Sequence, residues 1–196
     1  NVIYTSEGCL TGTDRVAEAS LKIDADVIVN VQGDEALLDP NDIIKAVSCK
    51  IDNEDCVVTC MAKLTSSEKP EDLKTCKVVT NLNGDLMYVS RNAIPSSKTG
   101  IVKSAHKQIC IYAFTKKQLK KYYDIGKDNG KTPVEASEDI EIIRFLEMGV
   151  KVKMVEVEGG TLAVDFPEDV KEVEKIFRKQ QLYSKLDDKV KTGIRW

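Results

Sequence analysis

Between Asp26 and Glu35 the chain reads Asp-Val-Ile-Val-Asn-Val-Gln-Gly-Asp-Glu. Four of the five residues from Val27 to Val31 are β-branched. Such side chains are stiff at χ1 and pack well on a pleated backbone, so the run predicts a strand buried on both faces. It stops at Gly33, and Asp34 and Glu35 follow at once. In an open α/β sheet, ligands gather outside the carboxyl ends of the strands. Asp34 and Glu35 are then either surface acids of an ordinary turn or the groups that meet a metal or a phosphate.

The other segments alternate around this strand. Thr11 to Lys22 predicts a helix, with Thr11 and Asp14 at capping-box spacing. Arg15 falls in its first turn, where a cation opposes the helix dipole, a hint that it faces an anion. Pro40 predicts the start of a second helix. Cys56 to Leu64 predicts a strand, and Ser66 to Leu73 a short helix or turn. Asn83-Gly84 between Cys76–Leu82 and Asp85–Ser90 is a strong hairpin signal. Ala105 to Phe114 predicts a strand carrying His106. Helices are expected over Lys116–Ile125, Glu135–Met148 and Pro167 to about Gln181, with strands at Val150–Val157 and Leu162–Asp165. Strands alternating with helices imply a mostly parallel sheet, and the hairpin adds an antiparallel part.

A chain of 196 residues fits one domain. The net charge of −3 gives no support for non-specific nucleic-acid or membrane-surface binding. No apolar run nears the ~18 residues that span a bilayer. The six cysteines form no Cys-x-x-Cys pair, which argues against zinc and for reduced thiols in a cytoplasmic protein. A single histidine, His106, excludes a two-histidine metal site within one chain. The chain opens at Asn1 in the strand-like Asn1–Tyr4, which suggests a fragment whose early part is missing.

Three groups could carry chemistry. Asp165 ends a short apolar strand as Asp34 does, and two such carboxylates on neighbouring strand ends could hold a hard cation. Spacing alone favours a helix-capping role for Asp165 ahead of Pro167, because such caps are so frequent. Glu135, Glu138 and Glu141 lie three apart and would share one helical face, with Arg144 offsetting part of their repulsion. That face is either solvated or orients a polyhydroxylated or cationic group. His106 is either an exposed strand-end residue or a hydrogen-bonding group in a cleft.

Six stretches together resemble one family, the cytidylyltransferases that activate 3-deoxy-manno-octulosonate (Kdo). They are Gly12-Thr13-Asp14-Arg15, Asn30 to Glu35, Tyr88-Val89-Ser90-Arg91 with Ile94-Pro95, His106 with Ile111-Tyr112, Glu138 to Arg144, and Val164 to Asp169. The resemblance reaches to about Phe177. It implies an α/β/α three-layer sandwich with a mostly parallel mixed sheet and a small antiparallel extension. It implies CMP transfer from CTP to the anomeric hydroxyl of an acidic sugar, for lipopolysaccharide or capsule synthesis, by a cytoplasmic homodimer with no nucleic-acid or membrane partner. Asp34 and Asp165 would be the catalytic pair holding Mg²⁺. Gly12, Thr13, Arg15, Gln32 and Gly33 would meet the nucleotide, and Arg91, His106, Glu138 and Glu141 the sugar.

Residues 1–184 would form one nucleotidyltransferase domain without the family's N-terminal phosphate-gripping segment, and 185–196 a polar tail. Departures from the family lie at Ala36, at Ser96-Ser97-Lys98 and at Ile142, where the family carries a glutamine. The last two are expected near the sugar and predict an altered sugar preference. A cytidylyltransferase for another acidic sugar, such as a sialic-acid relative, and a non-catalytic nucleotide-binding or dimerisation fragment are the alternatives.

Overall fold

The computed structural model describes residues 1–99, 105–159, 162–164 and 166–179. They fall into two compact units. The first comprises Asn1–Val31 and Pro40–Gly159, and the second joins Gln32–Asp39 to the described residues after 160.

The first unit holds six strands, β1 Ile28–Val31, β2 Val57–Lys63, β3 Lys77–Thr80, β4 Leu86–Ser90, β5 His106–Phe114 and β6 Val152–Glu156. Their order is β4-β3-β5-β2-β6, with β1 also paired to β5. The mixed sheet and its helical layers are as expected, but the balance of pairings is not. β5 runs antiparallel to β1, β2 and β3, the β3–β4 hairpin is antiparallel, and only β2–β6 is parallel among the described strands. The long central β5 sets this balance, because three strands pair with it.

β1 is less buried than its composition predicts. Ile28 is buried, Val29 and Asn30 are half-buried and Val31 is 40% exposed. The strand pairs with β5 alone among the described residues, which leaves part of it uncovered.

Helices α1 Gly12–Ser20 and α2 Pro40–Asp52 start where the capping threonine and the proline place them. α3 Lys116–Asn129 carries a full Thr115–Gln118 capping box. The expected helix from Glu135 to Met148 is instead two, α4 Pro133–Glu138 and α5 Ile142–Glu147. Asp139 adopts left-handed geometry between them (φ 53°, ψ 50°), which aspartate tolerates better than most residues. Residues 1–6 and 162–164 form no strand, and 66–73 form turns, one of the two forms expected there.

One apolar core lies between the sheet and α3 and α5. A column of rings crosses it, Phe114 of β5 against Phe145 of α5 (5.5 Å) and Phe145 against Tyr122 of α3 (4.7 Å). Buried aromatic pairs add ~0.5–1.5 kcal/mol beyond the area they cover. α2 packs against β2 and β5. In the second unit, α6 Pro167–Lys179 opens with the Asp169 carboxylate accepting from the Phe166 N–H at 2.8 Å.

Candidate functional site

The amino end of α1 is closed by Glu141. Its carboxylate accepts from the Gly12 N–H (2.9 Å), the Thr13 N–H (2.9 Å) and the Thr13 hydroxyl (2.5 Å). These are groups that a helix leaves unsatisfied, and the dipole favours an anion beside them. The Thr11 hydroxyl accepts from the Asp14 N–H at 3.1 Å, as its capping position requires. Arg15, in the first turn, is exposed, and its Nη1 donates to the Thr5 hydroxyl (3.0 Å) and the Ser6 carbonyl (3.1 Å).

Behind this end lies a buried ionic cluster. Arg144 is fully buried (0% exposed) between Asp14 of α1 and Glu135 of α4. Its Nη1 donates to Asp14 Oδ1 at 2.8 Å. Nε and Nη2 form a fork on the two Glu135 oxygens at 2.7 and 2.6 Å. The guanidinium also lies 3.8 Å over the Tyr122 ring. Burial pushes the Arg144 pKa down, but the hydrogen bonds it donates to Glu135 and Asp14 outweigh this and raise the pKa overall.

At the end of β4, Glu138 accepts from the Ser90 hydroxyl (2.7 Å), the Tyr88 hydroxyl (3.1 Å) and the Arg91 N–H (3.0 Å). The break at Asp139 frees carbonyls at the end of α4, and Arg91 collects them. Its Nε donates to the Glu138 carbonyl at 2.8 Å and its Nη2 to the Asp139 carbonyl at 3.0 Å. Its Nη1 reaches the Leu73 carbonyl at 3.2 Å.

The three glutamates therefore share no helical face. Glu135 neutralises Arg144, Glu138 organises the end of β4, and Glu141 caps α1. Sequence reading missed the 130-residue link from Asp14 to Arg144, although both lie in the motifs that carried the resemblance. It also placed Ile142 beside the sugar. Ile142 is 1% exposed and belongs to the apolar core.

His106 is half-buried at the start of β5, across from Lys63 of β2. Its Nε2 lies 4.0 Å from Glu156 Oε1, which is 3.4 Å from Lys63 Nζ. Lys63, Glu156, Val157 and Glu158 line a cavity of about 420 Å³ beside these groups.

In the second unit, the Asp34 carbonyl accepts from the Val164 N–H at 3.0 Å, and Gln32 accepts from the Glu35 N–H at 3.2 Å. The turn exposes Gly33. Asp34 Oδ1 is buried and has no hydrogen-bond partner among the described residues. Asp165, expected beside it, lies outside the described residues. Among the described residues no cluster of three or more His, Cys, Asp or Glu could hold a metal, and no helix is long and apolar enough to cross a membrane. None of the six cysteines is joined in a disulfide.

A mixed sheet layered with helices, with polar motifs at strand and helix ends, is the architecture of nucleotide-diphospho-sugar transferases. The solved CMP:2-keto-3-deoxy-manno-octonic acid synthetase complexed with CTP superposes with a TM-score of 0.78 at 28% identity, over 87% of this chain and 69% of that one. The inositol-1-phosphate CTP transferase of T. maritima shares the fold at 18% identity (TM-score 0.54). The chain belongs to the cytidylyltransferase family, whose model matches residues 1–157. Among curated relatives, the mitochondrial 3-deoxy-manno-octulosonate cytidylyltransferase of Arabidopsis thaliana is 34% identical over 93% of this chain. The chain spans 63% of that relative's length. The enzyme of the same name from Protochlamydia amoebophila is also 34% identical, over 93% of this chain and 72% of its own length.

Proposed function

We propose that the protein transfers CMP from CTP to the anomeric hydroxyl of Kdo. The sugar oxygen attacks the α-phosphorus, the bond to the β-phosphate oxygen breaks, and pyrophosphate leaves. The hydroxyl proton goes to solvent. The observation that carries this reading is the 34% identity to Kdo cytidylyltransferases over 93% of the chain.

Catalysis of such transfer is mostly positioning and charge neutralisation. The buried Asp34 oxygen that has no hydrogen-bond partner among the described residues is a hard donor of the kind a divalent cation takes, which supports a metal beside Asp34. Asp34 and Asp165 would hold Mg²⁺, which supplies neutralisation of the phosphate charge when bound. Gly12, Thr13 and Arg15 stand for the nucleotide with Gln32 and Gly33, and Arg91, His106, Glu138 and Glu141 for the sugar acid. Glu138 and Glu141 would act by holding backbone, since their carboxylates are engaged with β4 and α1.

The wider reading is a cytoplasmic homodimer serving lipopolysaccharide or capsule synthesis. Cysteines without disulfides favour a reducing compartment, and Met87 and Tyr88, exposed on β4 at the end of the sheet, favour a second copy. Ser96-Ser97-Lys98 favours a second reading, in which the acceptor is another acidic sugar.

The test is pyrophosphate release from CTP with a panel of acidic sugars, with and without Mg²⁺, for the wild type and Asp34→Asn. Turnover with Kdo that needs Mg²⁺ and vanishes in a folded Asp34→Asn protein is expected. Full activity of Asp34→Asn with an unchanged Mg²⁺ requirement would remove Asp34 from the metal. Turnover with none of the sugars would overturn the reading.

A further inference from the structure

Lys77 opens β3, opposite Ser90 of β4 on one side and Lys107 of β5 on the other. Its side chain is completely buried (0% exposed). Lysine is almost never fully buried unless paired. Yet no carboxylate lies within ion-pair distance of Lys77 among the described residues. Its Nζ donates instead to three carbonyls, those of Asp72 (2.6 Å), Thr75 (2.5 Å) and Arg91.

An ammonium has three N–H donors and no acceptor, so the set of carbonyls matches it one for one. Burial depresses the Lys77 pKa, so the charge is held here at a cost. A leucine or methionine would fill the same volume without that cost. What an apolar side chain could not do is tie the 72–75 turn to the carbonyl of Arg91.

Arg91 reaches the same turn from the other side, through Nη1 to the Leu73 carbonyl. Its guanidinium thus rests on two platforms, the 72–75 turn and the carbonyls of Glu138 and Asp139. The second platform is fixed by the break between α4 and α5. The first is fixed by Lys77, which also holds the main chain of Arg91 itself.

We propose that Lys77 is a positioning residue that sets the Arg91 guanidinium for the carboxylate end of an acidic sugar. This rests on the reading of Arg91 as a sugar-acid contact. Lys77 touches no substrate and acts only through Arg91 and the 72–75 turn. Misplacement of a substrate-holding group by about 1 Å can cost on the order of a hundredfold.

The experiment compares wild type, Lys77→Met and Lys77→Gln, the last retaining two N–H donors. Two quantities are read in each. Steady-state kinetics gives KM for the sugar acid and for CTP separately. Nitrogen-15 NMR reads exchange of the Arg91 side-chain Nε–H. In Lys77→Met the sugar-acid KM should rise roughly tenfold to a hundredfold while the CTP KM stays within about twofold. Exchange of the Arg91 Nε–H should quicken, and Lys77→Gln should fall between. Equal rises in both KM values, no rise in either, or an unchanged Arg91 signal would overturn the proposal. So would loss of the fold in both variants, since the role would then be structural. A wild type that turns over no acidic sugar sinks the functional reading instead, and the Arg91 exchange measurement still decides whether Lys77 sets the guanidinium.

Discussion

Glu141 holds Thr13 twice, through the backbone N–H at 2.9 Å and through the hydroxyl at 2.5 Å. The carboxylate sits at the positive end of α1, where a negative charge and a cap each contribute ~1 kcal/mol. Glu141→Gln keeps the shape and one acceptor but removes the charge. We expect the variant to lose about 1–2 kcal/mol, seen as a lower urea midpoint with an unchanged slope. Because Gly12 and Thr13 belong to the expected nucleotide contacts, the KM for CTP should rise as well. An unchanged midpoint would show that α1 does not depend on this cap.

The buried cluster should respond far more strongly. Arg144→Met leaves Asp14 and Glu135 buried without their cation, a loss of about 3–5 kcal/mol in comparable pairs. Neutralising both acids in the same chain, as Asp14→Asn with Glu135→Gln, should recover most of it. Gly126→Ala probes the cluster from α3. A Cβ there would stand 2.3 Å from Arg144 Nη1, so the guanidinium must leave Asp14 or the helix must shift. Denaturant unfolding checks each, and a mild Arg144→Met phenotype would mean that the acids find water.

Acid should unfold the first unit through carboxylates held below the ordinary range, among them Glu138, Glu68 and Glu147. For Glu138, burial pushes the pKa up, but the Arg91 N–H, the Ser90 and Tyr88 hydroxyls and the Arg91 charge outweigh it. For Glu68, burial is outweighed by Lys107 and Thr65, and for Glu147 by Thr132 and the N–H groups of Val134 and Glu135. A carboxylate with a depressed folded pKa adds stability that is fully present above its unfolded pKa of 4.5 and is lost as pH falls through the folded value. Melting temperature should be flat from pH 7 to about 5 and fall below that. Glu138→Gln should make the fall shallower, and an equally steep fall would exclude Glu138 as a source.

What was legible in the sequence was local. The capping Thr11, Pro40 at a helix start and Asn83-Gly84 in its hairpin each specify geometry within a few residues. The break at Asp139 was not legible, because neither glycine nor proline marks it, and the run from Glu135 to Met148 keeps a helical pattern without it. Nor was the antiparallel majority, since strand direction is fixed by long-range pairing to β5. Site residues were legible through the motifs, but not their work. Glu138, Glu141 and Arg144 are bonded to groups 47 to 130 residues away, and Lys77 looks like any strand lysine.

Ile142 carries the last prediction, and the structure reverses its direction. At a family glutamine position, isoleucine reads as a lost contact to the sugar. The side chain is instead 1% exposed and belongs to the same apolar core as Ile143 and Phe145. Ile142→Gln would therefore bury an amide rather than restore a ligand. A buried amide without partners costs about 1–3 kcal/mol by mutational measures, and the lost apolar burial adds to this. We expect a lower urea midpoint and an unaltered ranking of acidic sugars in the panel. Unchanged stability together with a switched sugar preference would place Ile142 at the ligand after all. The preference would then have to enter through α5 turning its first residue outward, a movement that the Glu141 cap on Gly12 and Thr13 opposes.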